Sequence, residues 1–235
     1  MMNDLIFPPL MTGMPIEGRD SDPFDTAIAQ ATLGVDSGLI VYNLEADRAR
    51  ATLVLAPDVA LTQAMAMLPV AGIGFQNALG ALAPPEVAVH LEWSGGIRIN
   101  GAKCGGFQIA SSSTHADQQP DWLCIGLDLP LWPAHEEMGQ TPDETALYAE
   151  GCAEVDAANL IEAWARHTLN WITRWDGEGV KPVHDEWRGL VHGMGEDIDI
   201  DGKTGTFLGV DENFGLLLRI GAETTLIPLT QLLKD

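Results

Sequence analysis

Apolar residues recur at two different spacings along this chain, and the changes between them mark out its elements. Phe24, Ile28 and Leu33 predict a helix with one buried stripe. Asp20-Ser21-Asp22-Pro23 supplies its start, a side-chain cap followed by proline in the first turn, and Gly34 marks its end. Gly38 to Leu44 and Ala51 to Ala56 are near-continuous apolar runs, which read as buried strands joined by a short charged turn with Glu45, Asp47, Arg48 and Arg50. The Ala-, Met- and Leu-rich stretch from Val59 is interrupted by Pro69 and Gly72. A helix is therefore expected only from about Ala71 to Leu82, where Pro84-Pro85 stops it.

Val87 to Trp93 predicts a strand. Ile97 to Asn100 and Cys104 to Ile109 follow as two arms around Asn100-Gly101, a dipeptide suited to positive φ and hence to a tight hairpin. The turn sets Lys103 at the mouth of the hairpin, with Gly105 and Gly106 beside it. A polar loop from Ser111 to Pro120 leads to a further strand at Trp122 to Leu127. Asp156 to Trp175 predicts a long helix, because Leu160, Ile161, Trp164, Trp171, Ile172 and Trp175 fall on one face; its tryptophans read as core packing. Gly177 and Gly179 end it. From Glu186 to Asp235 short alternating strands, with turns at Asp201-Gly202 and Glu212-Asn213, predict a small SH3-like β-barrel. The expected architecture is α+β, a mixed or largely antiparallel sheet covered by helices over 1–182, then the barrel over 183–235.

Charge narrows the function. The chain of 235 residues has 34 acids against 12 bases, a formal charge of −22. Nucleic acid is not an expected partner, because phosphate backbones are held by clustered Lys and Arg, and these bases are scattered. A 46% hydrophobic content supports a sizeable core. The sequence offers neither the pattern of a signal peptide nor an uninterrupted apolar membrane run, so a cytoplasmic protein with no membrane association is expected. Cys104, Cys124 and Cys152 lie far apart with no CxxC, which fits reduced thiols. His90, His115, His135, His167, His184 and His192 are dispersed and suggest no general base. Asp197-Ile198-Asp199-Ile200-Asp201-Gly202 copies the opening of a calcium loop, but the twelfth position is Leu208 instead of a bidentate Glu.

The segment from Leu91 to Ile109 resembles the central hairpin of biotin protein ligases and lipoate ligases, where Lys-Trp-Pro-Asn-Asp leads through a strand and turn to Lys-x-x-Gly. Trp93, Lys103 and Gly106 match; Glu92 replaces the first lysine, and Ser94, Gly95 and Gly96 replace Pro-Asn-Asp. Near the end, Gly205 to Asp211 and Gly215-Leu216-Leu217-Leu218 match the pattern of the barrel that closes biotin ligases. The likeness spans essentially the whole chain. It implies a class II synthetase-like biotin/lipoate ligase domain followed by an SH3-like barrel. It also implies an activity: ATP with magnesium activates biotin or a lipoyl- or octanoyl-type acid, which passes to a lysine on a carrier domain.

On that resemblance Lys103 holds the acyl-phosphate region and Arg48, Arg50 and Arg98 balance charge, while Trp93, Gly95, Gly96, Gly105, Gly106 and Gly126 line the substrate and nucleotide. The family's Gly-Arg-Gly-Arg loop corresponds here to Ala46 to Ala51, which keeps both arginines and neither glycine, so an ordinary charged turn is the competing reading. Lys103 equally reads as a solvent-facing hairpin lysine, and Asp128 as a core-edge group or a magnesium ligand. The rival to a ligase is a non-catalytic homologue that binds an acyl compound or a partner protein.

Overall fold

Seven strands form one mixed sheet in the computed structural model of the chain, which describes residues 5–133 and 143–234. The strands are β1 (Thr12–Pro15), β2 (Leu39–Leu44), β3 (Arg48–Leu55), β4 (Val89–Leu91), β5 (Gly96–Ile99), β6 (Ala102–Ser111) and β7 (Leu123–Pro130). Their order across the sheet is β1-β2-β3-β7-β6-β5-β4; β1 runs parallel to β2 and every other pair is antiparallel. His135 lies outside the described residues.

Helix α1 (Pro23–Thr32) begins where its cap predicts, with the Asp22 carboxylate accepting the Phe24 N–H at 2.9 Å. It covers one face of the sheet with Phe24, Ala27 and Ala31 against Val41, Val54 and Cys124. Leu33 does not join that stripe and is 81% exposed. At about 100° per residue it lies roughly half a turn round from Phe24, so small alanines complete the stripe instead.

The opposite face carries the main core. After α2 (Leu61–Ala64), α3 runs from Met67 to Leu82, starting ahead of Pro69 instead of at the expected Ala71. Pro69 is tolerated because it occupies the first turn, where its missing N–H has no intrahelical partner. The run Leu61–Leu82 is long and apolar enough to cross a membrane by length and composition, yet 72% of its most apolar window is buried in the fold. Helix α4 (Ala157–Glu178), capped by Asp156, packs along α3. The two approach closely where a β-carbon on Gly74 would lie 2.9 Å from the Thr168 backbone nitrogen. The α4 indoles serve this contact: Trp164 donates to Ala71 O at 3.1 Å and Trp171 to Asn77 Oδ1 at 2.8 Å.

A fifth helix, α5 (Lys181–Leu190), occupies the start of the segment expected to be strand from Glu186. The expected 182/183 boundary falls within the first turn of this helix, where Pro182 is tolerated and Val183 and Trp187 turn inward. The four remaining strands are β8 (Asp197–Ile200), β9 (Lys203–Val210), β10 (Leu216–Ile220) and β11 (Glu223–Ile227). They form an antiparallel sheet in the order β11-β10-β9-β8, the expected SH3-like barrel unit, with Phe207, Leu216, Leu218 and Ile227 inside. The Asp-rich β8 enters a tight hairpin: Asp201 and Gly202 both have positive φ, and Asp199 accepts the Gly202 N–H at 3.1 Å.

A buried joint helps to tie this small sheet to the large one. The buried Trp93 indole donates to Phe214 O at 2.7 Å. Phe214 has φ +60° and is wedged between His184, stacked at 4.2 Å, and Trp187, edge-on at 5.7 Å. Trp93→Phe keeps most of the apolar contact but leaves that carbonyl without a donor. Urea unfolding is expected to show a loss of about 1–3 kcal/mol, the cost of an unmade buried hydrogen bond.

Candidate functional site

The hairpin closes through Asn100 (φ 51°) and Gly101 (φ 95°), which places Arg98 on β5 opposite Lys103 on β6. Arg98 is already engaged. Its Nε donates to Glu92 Oε1 at 2.6 Å and its Nη1 to Gly101 O at 2.6 Å, and both partners of the ion pair are largely buried. The Glu92 carboxylate lies in the space a Gly96 side chain would need. The acid that stands where the family has lysine is thus answered by Arg98, and Gly96 makes room for the pair.

Arg48 and Arg50 are on β3 and not in the preceding turn. That turn is only Ala46-Asp47 wide, closed by the Glu45 N–H donating to Arg48 O at 2.8 Å. Arg48 grips Asp128 with two bonds, Nε to Oδ1 and Nη2 to Oδ2, both 2.5 Å. Asp47 pairs with Arg19. Arg50, in register with Asp128, donates from Nη2 to Arg19 O at 3.2 Å, and its buried Nε has no partner among the described residues.

Most of the glycines serve the backbone. Gly95 and Gly105 both have positive φ, and side chains there would also meet Phe107 O at 2.7 Å and Pro130 Cδ at 2.8 Å. Gly106 lies against Gly95 O, across from Asp128. Gly126 sits beneath α1, where the Phe24 ring, Thr52 and Gln108 fill the space above it. The predicted residues therefore divide into two groups: Arg48, Arg50 and Gly126 beside α1, and Arg98, Lys103 and Trp93 at the hairpin.

The second group borders a groove of about 360 Å³ between the hairpin and the small sheet, a volume suited to a small ligand. Lys103, Arg98, Glu92 and Ser94 line one side; His192, Glu196, Asp197 and Asp199 line the other, with Trp93, Ile198, Ile200 and Phe207 as apolar lining. Lys103 is exposed and makes no ion pair among the described residues. Its backbone is fixed, donating to Asp143 O and accepting from Thr145 N, both 2.8 Å. An adjoining cleft under Trp93, lined by Leu68, Leu91, Phe107 and Trp187, has free volume of about 20 Å³, room for about one water.

The acids of β8 carry no signal in the sequence that marks them as site residues. Their alternation with isoleucine signals a strand, and it is tertiary packing that brings them to the groove Lys103 borders. Cys104, next to Lys103 in sequence, is fully buried, and burial, reinforced by Glu150 and Cys152, pushes its thiol up to about 12. It is not an available thiolate.

Known proteins are similar to this chain in sequence and fold. The model of the biotin/lipoate A/B protein ligase family matches residues 7–189, and that of a domain of unknown function (DUF4444) matches residues 194–235. A biotin-[acetyl-CoA-carboxylase] ligase of Paracoccus denitrificans is 28% identical over 188 residues, 77% of this chain and 77% of its own. A crystal structure of a biotin protein ligase-like protein of unknown function from Silicibacter sp. TM1040 is 63% identical, with TM-score 0.93, covering 98% of this chain and 100% of that one. The biotin protein ligase of Aquifex aeolicus, as a mutant in complex with biotin, shares the fold at TM-score 0.73 and 15% identity, covering 93% of this chain and 96% of that one. With its family model matched over most of its length, this chain belongs to the biotin/lipoate A/B protein ligase family.

Proposed function

We propose that this chain binds a biotin-, lipoyl- or octanoyl-type acid in the hairpin groove and does not convert it to an adenylate. The carboxylate meets Lys103, and the apolar part of the ligand lies along Trp93, Ile198, Ile200 and Phe207. One observation carries this reading: the cations that would hold a triphosphate are engaged within the protein, Arg48 by Asp128 and Arg98 by Glu92. Phosphoryl chemistry needs such groups preorganised toward the substrate.

ATP and magnesium do not fit the residues present. The two-residue turn before Arg48 offers no loop of backbone N–H groups to wrap a phosphate, and both Asp128 oxygens are held by Arg48 instead of being free for a metal. Acyl transfer through a thioester is opposed by the buried, high-pKa thiol of Cys104.

The second reading is a working ligase that activates biotin with ATP and passes it to a biotinyl or lipoyl carrier domain. It is favoured by the similarity to the Paracoccus enzyme and by the Lys103 ammonium, which has no ion-pair partner among the described residues. The two readings separate in one assay. With magnesium ATP and biotin, lipoate or octanoate, pyrophosphate release is expected to stay at background, while at least one free acid raises the melting temperature. Pyrophosphate release that depends on the acid would establish the ligase.

Lys103→Ala is expected to weaken binding of that acid by about tenfold, roughly 1.4 kcal/mol, as measured by calorimetry. The melting temperature of the free protein should not fall, because the side chain is exposed and has no ion-pair partner among the described residues.

A further inference from the structure

Three charged side chains meet on the hairpin wall of the groove, and the pairing of two of them sets what the third can bind. Arg98 and Lys103 stand opposite one another across the hairpin, an arrangement that holds β-carbons about 4.5–5.5 Å apart. Without an acid beside it, Arg98 would join Lys103 as a second free cation on this wall. Glu92 prevents that.

The Glu92–Arg98 pair is built into the local backbone. Glu92 is fixed at both of its main-chain groups, its N–H donating to Gly96 O at 2.8 Å and its carbonyl accepting the Gly95 N–H at 3.0 Å. Its carboxylate uses the space that a side chain at Gly96 would fill, and there it accepts Arg98 Nε–H at 2.6 Å. The Arg98 and Glu92 side chains are only 16% and 20% exposed, so salt screens their charges less than those of a surface pair. Arg98 also donates from Nη1 to Gly101 O. A guanidinium has five N–H donors, so these two bonds leave it donors in hand. What Glu92 removes is the charge.

We infer that Glu92 is a specificity-determining residue: by masking Arg98 it leaves Lys103 as the one unpaired Lys or Arg among the described lining residues, which suits the groove to singly charged carboxylates over dianions such as phosphate monoesters. Building on the proposed acyl-acid site, this defines the head-group charge that the site accepts. Glu196, Asp197 and Asp199, which also border the groove, oppose any anion and are the same in every variant below. A change of preference on altering Glu92 therefore reports on Glu92 and Arg98.

The probes are octanoate and octyl phosphate, which share an apolar chain and differ in head-group charge. They are compared by calorimetry at about pH 8, where a phosphate monoester carries close to two negative charges. The unaltered protein is expected to bind octanoate more tightly. Glu92→Gln keeps an oxygen for Arg98 Nε–H and removes the negative charge, so the ratio of affinities should move toward octyl phosphate by about tenfold, the scale of one added charge pair in a partly screened site. Glu92→Gln/Arg98→Gln has the net charge of the unaltered protein and should return the ratio to within about twofold of its starting value. A merely structural loss would persist in the double variant.

If octanoate binds and Glu92→Gln leaves the ratio unchanged, or if the unaltered protein prefers octyl phosphate, masking by Glu92 is overturned and the acyl-acid site stands. If neither probe binds any of these proteins, masking is refuted, and biotin and lipoate titrated alongside decide whether the acyl-acid site survives. Should Glu92→Gln fail to fold, Arg98→Gln decides. It leaves Glu92 unanswered and should move the ratio about tenfold further toward octanoate, and an unchanged ratio refutes the assignment.

Discussion

The buried hydrogen bond from Trp93 to Phe214 O holds the small sheet against the large one, together with the His192 N–H donated to Leu91 O and the Lys234 N–H donated to Ile109 O. Trp93 follows β4 and Phe214 lies in the turn between β9 and β10, 121 residues further along the chain. Both are buried, so the bond is made in a setting where an unpaired donor or acceptor is costly. The left-handed backbone at Phe214 is held by the Asp211 carboxylate, which accepts the N–H groups of Asn213 and Gly215 at 2.9 and 2.7 Å. His184 and Trp187 then clamp the ring from α5. A helix in place of the expected strand is what makes the clamp possible.

Electrostatics within this frame are local. A chain of charge −22 keeps its site arginines by giving each a nearby acceptor: Asp128 for Arg48, Glu92 for Arg98, and the carbonyl of Arg19 for Arg50. Such pairing orders the side chains and also removes them from service toward an anionic ligand. Half-exposed pairs such as Arg48–Asp128 contribute only about 0–1 kcal/mol to folding, so their main consequence is for recognition. Lys103 differs because its main chain is anchored on both sides by Asp143 and Thr145 while its ammonium has no acidic neighbour in ion-pair range among the described residues.

Much of the fold is legible in the sequence because local signals agree. The Asp22 and Asp156 caps, the Asn100-Gly101 turn and the Asp201-Gly202 turn lie where sequence rules put them. Proline displaces the expected start of α3, whereas β3 begins at Arg48 ahead of the expected Ala51 and Leu33 turns to solvent without any proline. Pro69 and Pro182 look like interruptions along the chain, yet each stands in a first helical turn, a distinction that depends on where the preceding cap falls. The candidate site is legible in part. Lys103, Arg98 and Trp93 come together as their hairpin spacing implies, whereas Arg48 and Gly126 lie beside α1, and the β8 acids give no sign beyond strand alternation.

By itself the sequence determined the family, the α+β architecture, the closing barrel and the acidic replacement of a ligase lysine at Glu92. The architecture follows from periodicity and turn chemistry, the family and the Glu92 replacement from a resemblance in motifs, all properties of neighbours along the chain. Only the tertiary structure decided that Glu92 meets Arg98, that Phe24 roofs Gly126, and that β8 and Lys103 border one groove. The reason is physical: whether a charge is free or answered depends on side chains brought within a few ångströms by packing, and that packing joins residues as far apart in sequence as Trp93 and Phe214.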